Sequence, residues 1–185
     1  MAVFTALGGG TLRDVLIGYF PPRMFTNFHY VLLACLCALV VFVIARVYKE
    51  RYVAREKMIE QINNVFDAVG LGVFAVSGAR IGMEAGFADN MFLTTFLGAT
   101  TAIGGGMLRD VLLNEVPLIF RKDIYAIACI CGGLIYYLCM YLDLPAAPTQ
   151  FIAACSVILI RILAVRYGIS LPALKGETRP APKEK

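Results

Sequence analysis

Apolar positions in this chain come in long blocks, with neither the strict alternation of a half-buried strand nor the single stripe of a surface helix. Blocks at membrane length run over about Tyr30–Val47, Val65–Met83, Met91–Phe120, Ile124–Leu142 and Thr149–Val165. A helix needs ~20 apolar residues to cross the hydrocarbon core, so each block predicts a span. Residues Met1–Phe20 form a further, irregular segment interrupted by glycine, arginine and aspartate. The polar stretch from Arg46 to Gln61 holds helix formers (Lys49, Glu50, Arg55, Glu56, Lys57), which predicts helical extensions beyond the bilayer. From Gly168 onward Pro172, Pro180, Pro182 and alternating charges predict a disordered tail.

Composition sharpens this into an all-α integral membrane chain. Of 185 residues 59% are apolar and only 16% charged, with a mean hydropathy of +0.75; soluble domains average ~45–50% and ~25%. No cleavable signal peptide is legible, because Gly8–Gly10, Arg13 and Asp14 stand where an uninterrupted apolar run would be needed. Cys35, Cys37, Cys129, Cys131, Cys139 and Cys155 all lie in apolar stretches and read as small packing residues. The single histidine, His29, has no second histidine with which to bind a metal. No metal site, cofactor, nucleophile–base pair or nucleic-acid patch is expected, so an enzyme is not the reading.

Loop charges set the orientation. The 46–61 connection carries Arg46, Lys49, Arg51, Arg55 and Lys57, which places it in the cytoplasm by the positive-inside rule. The 84–90 turn then holds Glu84 and Asp89 without a basic residue, the following turn holds Arg121 and Lys122, and the next only Asp143. Arg161, Arg166, Lys175, Arg179, Lys183 and Lys185 gather at the C-terminal end, which is expected inside.

The chain also repeats itself. Residues 5–17, TALGGGTLRDVLI, match residues 101–113, TAIGGGMLRDVLL, at ten of thirteen positions with an offset of 96, and Pro21 then matches Pro117. Two crossings, Tyr30–Val47 and Val65–Met83, lie between the copies, so the repeat unit is three spans, an odd number, and the copies run in opposite directions. This is an inverted-topology repeat, a device of membrane transport folds whose functional region lies at the repeat interface. The second unit begins with Val65–Met83, and nothing ahead of residue 1 answers to it, so the expectation is a chain that starts inside its second span with the first helix missing. The expected divisions are 1–48 for a partial first repeat, 49–63 for a cytoplasmic linker, 64–144 for the second repeat, 148–167 for a final transmembrane helix and 168–185 for a cytoplasmic tail.

Two sets of residues carry the candidate chemistry. Gly8, Gly9, Gly10 and Gly104, Gly105, Gly106 fall within apolar helices, and three adjacent glycines cost roughly 3 kcal/mol of helix propensity. A kink or break is expected there, freeing backbone groups to line a path; the competing reading is that small residues permit close helix packing. Pro21 and Pro117 are expected to end the kinked helices. Arg13, Asp14, Arg109 and Asp110 follow two residues after the triplets. Neighbours on a helix diverge by ~100°, so a cross pairing of Arg13 with Asp110 and Asp14 with Arg109 is expected, serving either as a structural tie between the repeats or as a charged gate. Asp67 and Arg80, ~20 Å apart along one span, are expected near opposite membrane faces.

The paired Gly-Gly-Gly-x-Leu-Arg-Asp motifs and the segment FDAVGLGVFAVSGA resemble the prokaryotic TRIC (trimeric intracellular cation) channel family, also called the bacterial glycine-transporter-domain family, over about Ala2–Tyr167. The resemblance implies two inverted three-helix repeats plus a final helix, here Thr149–Val165, in a homotrimer with one pore per subunit. It implies that the kinks at Gly8–Gly10 and Gly104–Gly106 flank the permeation path. The expected function is a passive conduit for monovalent cations, K+ foremost, in lipid of a bacterial inner membrane. A transporter of glycine or a similar small zwitterionic amino acid is the alternative, and a non-transporting scaffold a third.

Overall fold

The computed structural model describes residues 2–47, 56–121 and 124–169. Residues 170–185 of the expected tail, residues 49–55 of the 49–63 linker and residues 122–123 lie outside the described residues. The described chain is all helix: α1 (Ala2–Leu16), a short α2 (Arg23–Thr26), α3 (Phe28–Val47), α4 (Glu56–Gly82), α5 (Met91–Leu112), a short α6 (Leu118–Arg121), α7 (Ile124–Tyr141) and α8 (Ala146–Tyr167). Helix α4 starts well before its apolar part, as the helix formers near Glu56 require. It runs on through a π-helical turn, Met83–Phe87, inside which Gly86 has φ 95°, a left-handed conformation favouring glycine. The Asn90 side chain then accepts from the Leu93 amide to start α5. Among the described residues four helices (Gln61–Phe87, Met91–Leu112, Ile124–Tyr141 and Ala146–Tyr167) are long and apolar enough to cross a membrane, and Phe28–Ile44 is a shorter apolar helix.

Helices α4, α5, α7 and α8 form the tightest part of the bundle, and α1 packs on α5. Their core is built from small side chains: Ala75, Ala99, Ala102, Ala128 and Cys129 surround Leu71, Ile103 and Val157. In lipid, where apolar surface gains little by leaving the solvent, close backbone approach over small residues supplies the association energy. Among the described residues helix α3 touches α1 and α2 alone, whereas α7, its counterpart in the second copy, packs on α4, α5, α6 and α8. Among the described residues no helix stands to α1 and α3 as α4 stands to α5 and α7.

Two expectations, a break at the glycine triplets and helix ends at the prolines, are corrected. Neither glycine triplet breaks its helix: α1 and α5 are continuous α-helix through Gly8–Gly10 and Gly104–Gly106. A break in hydrocarbon would strand backbone groups at several kcal/mol each, which outweighs the propensity cost of the glycines. Nor do Pro21 and Pro117 terminate these helices, which stop at Leu16 and Leu112. Both end in the same left-handed turn. Gly18 (φ 72°) donates to the Val15 carbonyl at 3.1 Å and Tyr19 to that of Asp14 at 2.8 Å; Asn114 (φ 55°) donates to Val111 at 3.0 Å and Glu115 to Asp110 at 2.9 Å. Gly18 and Asn114 are the residue types that tolerate this conformation, and each stands at the other's repeat position.

Candidate functional site

The two copies meet where α1 crosses α5. An ideal Cβ built on Gly9 would overlap the Thr101 carbonyl oxygen, and one built on Gly105 would overlap the Thr5 carbonyl oxygen. Gly8 faces Leu108, and Gly104 faces Leu12, whose Cδ1 atoms would lie 2.7 and 2.8 Å from the built carbons. Each pair maps onto the other by the 96-residue offset. Advancing along α1 from Thr5 to Gly9 moves the contact backward along α5 from Gly105 to Thr101, so the copies are antiparallel and related by a pseudo-two-fold axis through the crossing. The third glycines do something else: a Cβ on Gly10 would meet only Arg13 Nη2, at 3.6 Å, and one on Gly106 the Tyr125 hydroxyl, at 3.3 Å.

The arginine–aspartate pairs sit one turn beyond the crossing, and here the expected cross pairing fails. Arg13 Nε and Nη2 donate to Oδ1 of its own neighbour Asp14, at 3.0 and 2.7 Å. Arg109 does the same to Asp110, with Nε at 2.8 Å and Nη2 at 2.8 Å. The ~100° divergence concerns Cβ directions; the guanidinium lies several bonds further out and curls back around the helix. The two repeats' pairs also stand on opposite sides of the crossing, beyond each other's reach.

Each aspartate has a second task. Asp14 Oδ2 accepts from the Arg23 amide at 2.9 Å, and Asp110 Oδ2 accepts from the Leu118 amide at 3.0 Å. These are the first amides after Pro21-Pro22 and after Pro117, and they open α2 and α6. Both carboxylates therefore fix the short helix that follows the turn. The copies differ in exposure: the Arg13 and Asp14 side chains are 7% and 2% exposed, while Arg109 is 31% exposed. Arg23, whose repeat counterpart is Ile119, adds a second cation at 4.0 Å from Asp14 Oδ1.

Asp67 and Arg80 do not share one fate. Arg80 is exposed and donates from Nε to Glu84 Oε1 at 2.7 Å. Asp67 instead turns inward, accepting from the Tyr125 hydroxyl at 3.2 Å and pairing with Arg161 Nη2 at 3.6 Å. Arg161, read from the sequence as one of the charges at the C-terminal end, is buried inside α8, with its guanidinium carbon 4.7 Å from the centre of the Tyr125 ring. Position within the Thr149–Val165 block was the available signal. Thr5 and Thr101 were likewise overlooked, although they open both copies of the repeated string. The six cysteines are free thiols, of which only Cys129 is buried, and the described residues hold no cluster of three or more metal-binding side chains.

The chain as a whole is similar to known proteins. The family model described as Glycine transporter matches residues 1–46 and 64–141. The UPF0126 membrane protein of Vibrio cholerae is 32% identical over 93% of this chain and 68% of its own length. The UPF0126 inner membrane protein YadS of Escherichia coli is 31% identical over 93% of this chain and 79% of its own. Among solved structures, one of the TRIC cation channels, solved for the structural basis of conductance, has a TM-score of 0.82 at 33% identity, covering 96% of this chain and 82% of the other. The TRIC trimeric intracellular cation channel orthologue from Rhodobacter sphaeroides has a TM-score of 0.77 at 30% identity, covering 89% and 80%. The inverted repeat, the shared glycine crossing and these likenesses together establish that the chain belongs to the Glycine transporter family, the family of the TRIC cation channels.

Proposed function

We propose that this membrane protein is a passive channel for monovalent cations, K+ first among them, whose gate is the crossing of the two glycine triplets. The observation that carries the reading is the reciprocal seating of Gly9 on the Thr101 carbonyl and Gly105 on the Thr5 carbonyl, in a fold similar to solved cation channels. Two antiparallel helices held at backbone contact by glycine form a waist that is shut when packed. A small separation there exposes carbonyl oxygens of Thr5 and Thr101, the ligand type that replaces a cation's hydration shell. The paired charges Arg13–Asp14 and Arg109–Asp110 flank the waist on its two sides, hold α2 and α6, and shape the field at either approach.

The protein acts as a homotrimer in a bacterial inner membrane, with the C-terminus in the cytoplasm. Support comes from the trimeric orthologue, the inner-membrane relative and the basic residues of the 46–61 connection. An apolar cleft of about 530 Å³ between α5 and α7, bordered by Phe92, Phe96, Ile103, Met107 and Ile130, suits lipid acyl chains and not a permeant ion. Reconstitution into proteoliposomes tests the function: the expected result is a current that reverses with the K+ gradient. Saturable uptake of labelled glycine without current would replace the channel by an amino-acid transporter.

A further inference from the structure

The glycine crossing and the two Arg–Asp pairs leave one costly feature unused. Arg161 is 2% exposed within a membrane-length helix, where a guanidinium is expensive unless compensated. Its compensation is thin. Among the described residues it has one carboxylate, with Asp67 Oδ2 at 3.6 Å, and the face of Tyr125. Its Nε has no hydrogen-bond partner. A tie built only for stability would bring the guanidinium fork onto the carboxylate, as Arg13 does on Asp14.

The pair is also lopsided. The Asp67 side chain keeps 28% of its surface exposed, against 2% for Arg161. On this face of the bundle the carboxylate is partly open and the positive charge is buried behind it. The Tyr125 hydroxyl that donates to Asp67 Oδ1 at 3.2 Å is the same group that stands against Gly106. One side chain therefore separates the partly exposed carboxylate from the second glycine triplet.

From this geometry we infer that Asp67 is the charge-selecting carboxylate at one mouth of the conduit and that Arg161 is its built-in countercharge, which sets how strongly the mouth attracts cations. The assignment rests on the channel reading above. A partly exposed carboxylate concentrates cations in its neighbourhood, and a guanidinium held behind it cancels part of that field. Removing either charge must therefore shift selectivity in opposite directions. At a separation of ~8 Å in a water-filled mouth, one unbalanced unit charge changes local cation occupancy roughly two-fold, and more where the dielectric is lower.

The test is the K+ over Cl− permeability ratio of the full chain in planar bilayers at low salt. Arg161→Gln is expected to raise the ratio about two-fold or more, Asp67→Asn to lower it by a similar factor, and the double variant and Arg161→Lys to lie near wild type. In 1 M salt the differences should vanish, since the screening length falls to ~3 Å. Two single variants that shift together, or not at all, in a conducting background overturn the assignment while leaving the channel reading intact. A wild-type chain that carries no current overturns both. If Arg161→Gln does not fold, Asp67→Asn, at the exposed member of the pair, decides by the sign of its shift.

Discussion

The three glycines of each triplet are alike in sequence but not in surroundings, and this makes Gly9→Ala against Gly10→Ala the sharpest test of how the crossing works. A Cβ on Gly9 would overlap the Thr101 carbonyl oxygen, with the carbonyl carbon at 3.0 Å and the Gly105 amide nitrogen at 3.3 Å. All three are backbone atoms of an unbroken helix, so nothing can rotate aside and α1 must lift from α5 by about 1 Å. Overpacking of this kind costs about 1–3 kcal/mol, and it acts on the contact that draws the two repeats together. A Cβ on Gly10 would meet only the end of the Arg13 side chain at 3.6 Å, an ordinary contact, while gaining about 1 kcal/mol of helix propensity. The expected outcome is that Gly9→Ala lowers the stability of the purified protein in a detergent-unfolding series and changes K+ flux in proteoliposomes. Gly105→Ala should match it by symmetry, and Gly10→Ala should leave stability equal or higher and flux close to wild type. If the glycines serve instead as hinges, all three alanines stiffen the helix alike. Equal losses from Gly9→Ala and Gly10→Ala would therefore refute the packing argument.

Two further outcomes follow from the same contacts. Asp14→Asn leaves Arg13 buried without its carboxylate and weakens the bond to the Arg23 amide; breaking a buried pair costs about 3–5 kcal/mol. Asp110→Asn should cost less in the same unfolding assay, because Arg109 is partly exposed and can regain water. On α4, Gly78→Ala would drive a methyl into the Thr101 hydroxyl and the Leu97 carbonyl, whereas Gly70 has nothing within 4 Å of a built Cβ. Gly78→Ala is expected to destabilise by about 1–3 kcal/mol and Gly70→Ala to be neutral or stabilising by up to about 1 kcal/mol, a contrast readable from the thermal midpoints.

How far the site could be read in advance depended on whether its determinants were local. The doubled string around Gly8–Gly10 and Gly104–Gly106, repeating after an odd number of spans, is local information, and it led to the antiparallel crossing that the Gly9 and Gly105 contacts display. The state of the glycines was not local. Propensity argues for a break, but the cost of stranding backbone groups in hydrocarbon and the seating of each glycine on the other copy's carbonyl belong to the assembled bundle. The partner of Arg13 was misjudged because Cβ directions were used for a side chain whose charge lies several bonds away. Asp67 and Arg161 are 94 residues apart on different helices, and no periodicity links them; only the packing of α4 and α8 against α7 brings them together.

The sequence by itself determined that this chain lives in a membrane, that its helices are about as long as the bilayer requires, and that its two copies face opposite ways. These follow from hydropathy, charge and parity, which survive without coordinates because lipid leaves few alternatives to a satisfied helix. Tertiary structure alone decided which glycine touches a carbonyl, which aspartate holds which arginine, and why a guanidinium sits buried in α8. Such choices turn on ångström-scale approach between helices and on the reach of long side chains, quantities fixed only once the backbones have packed.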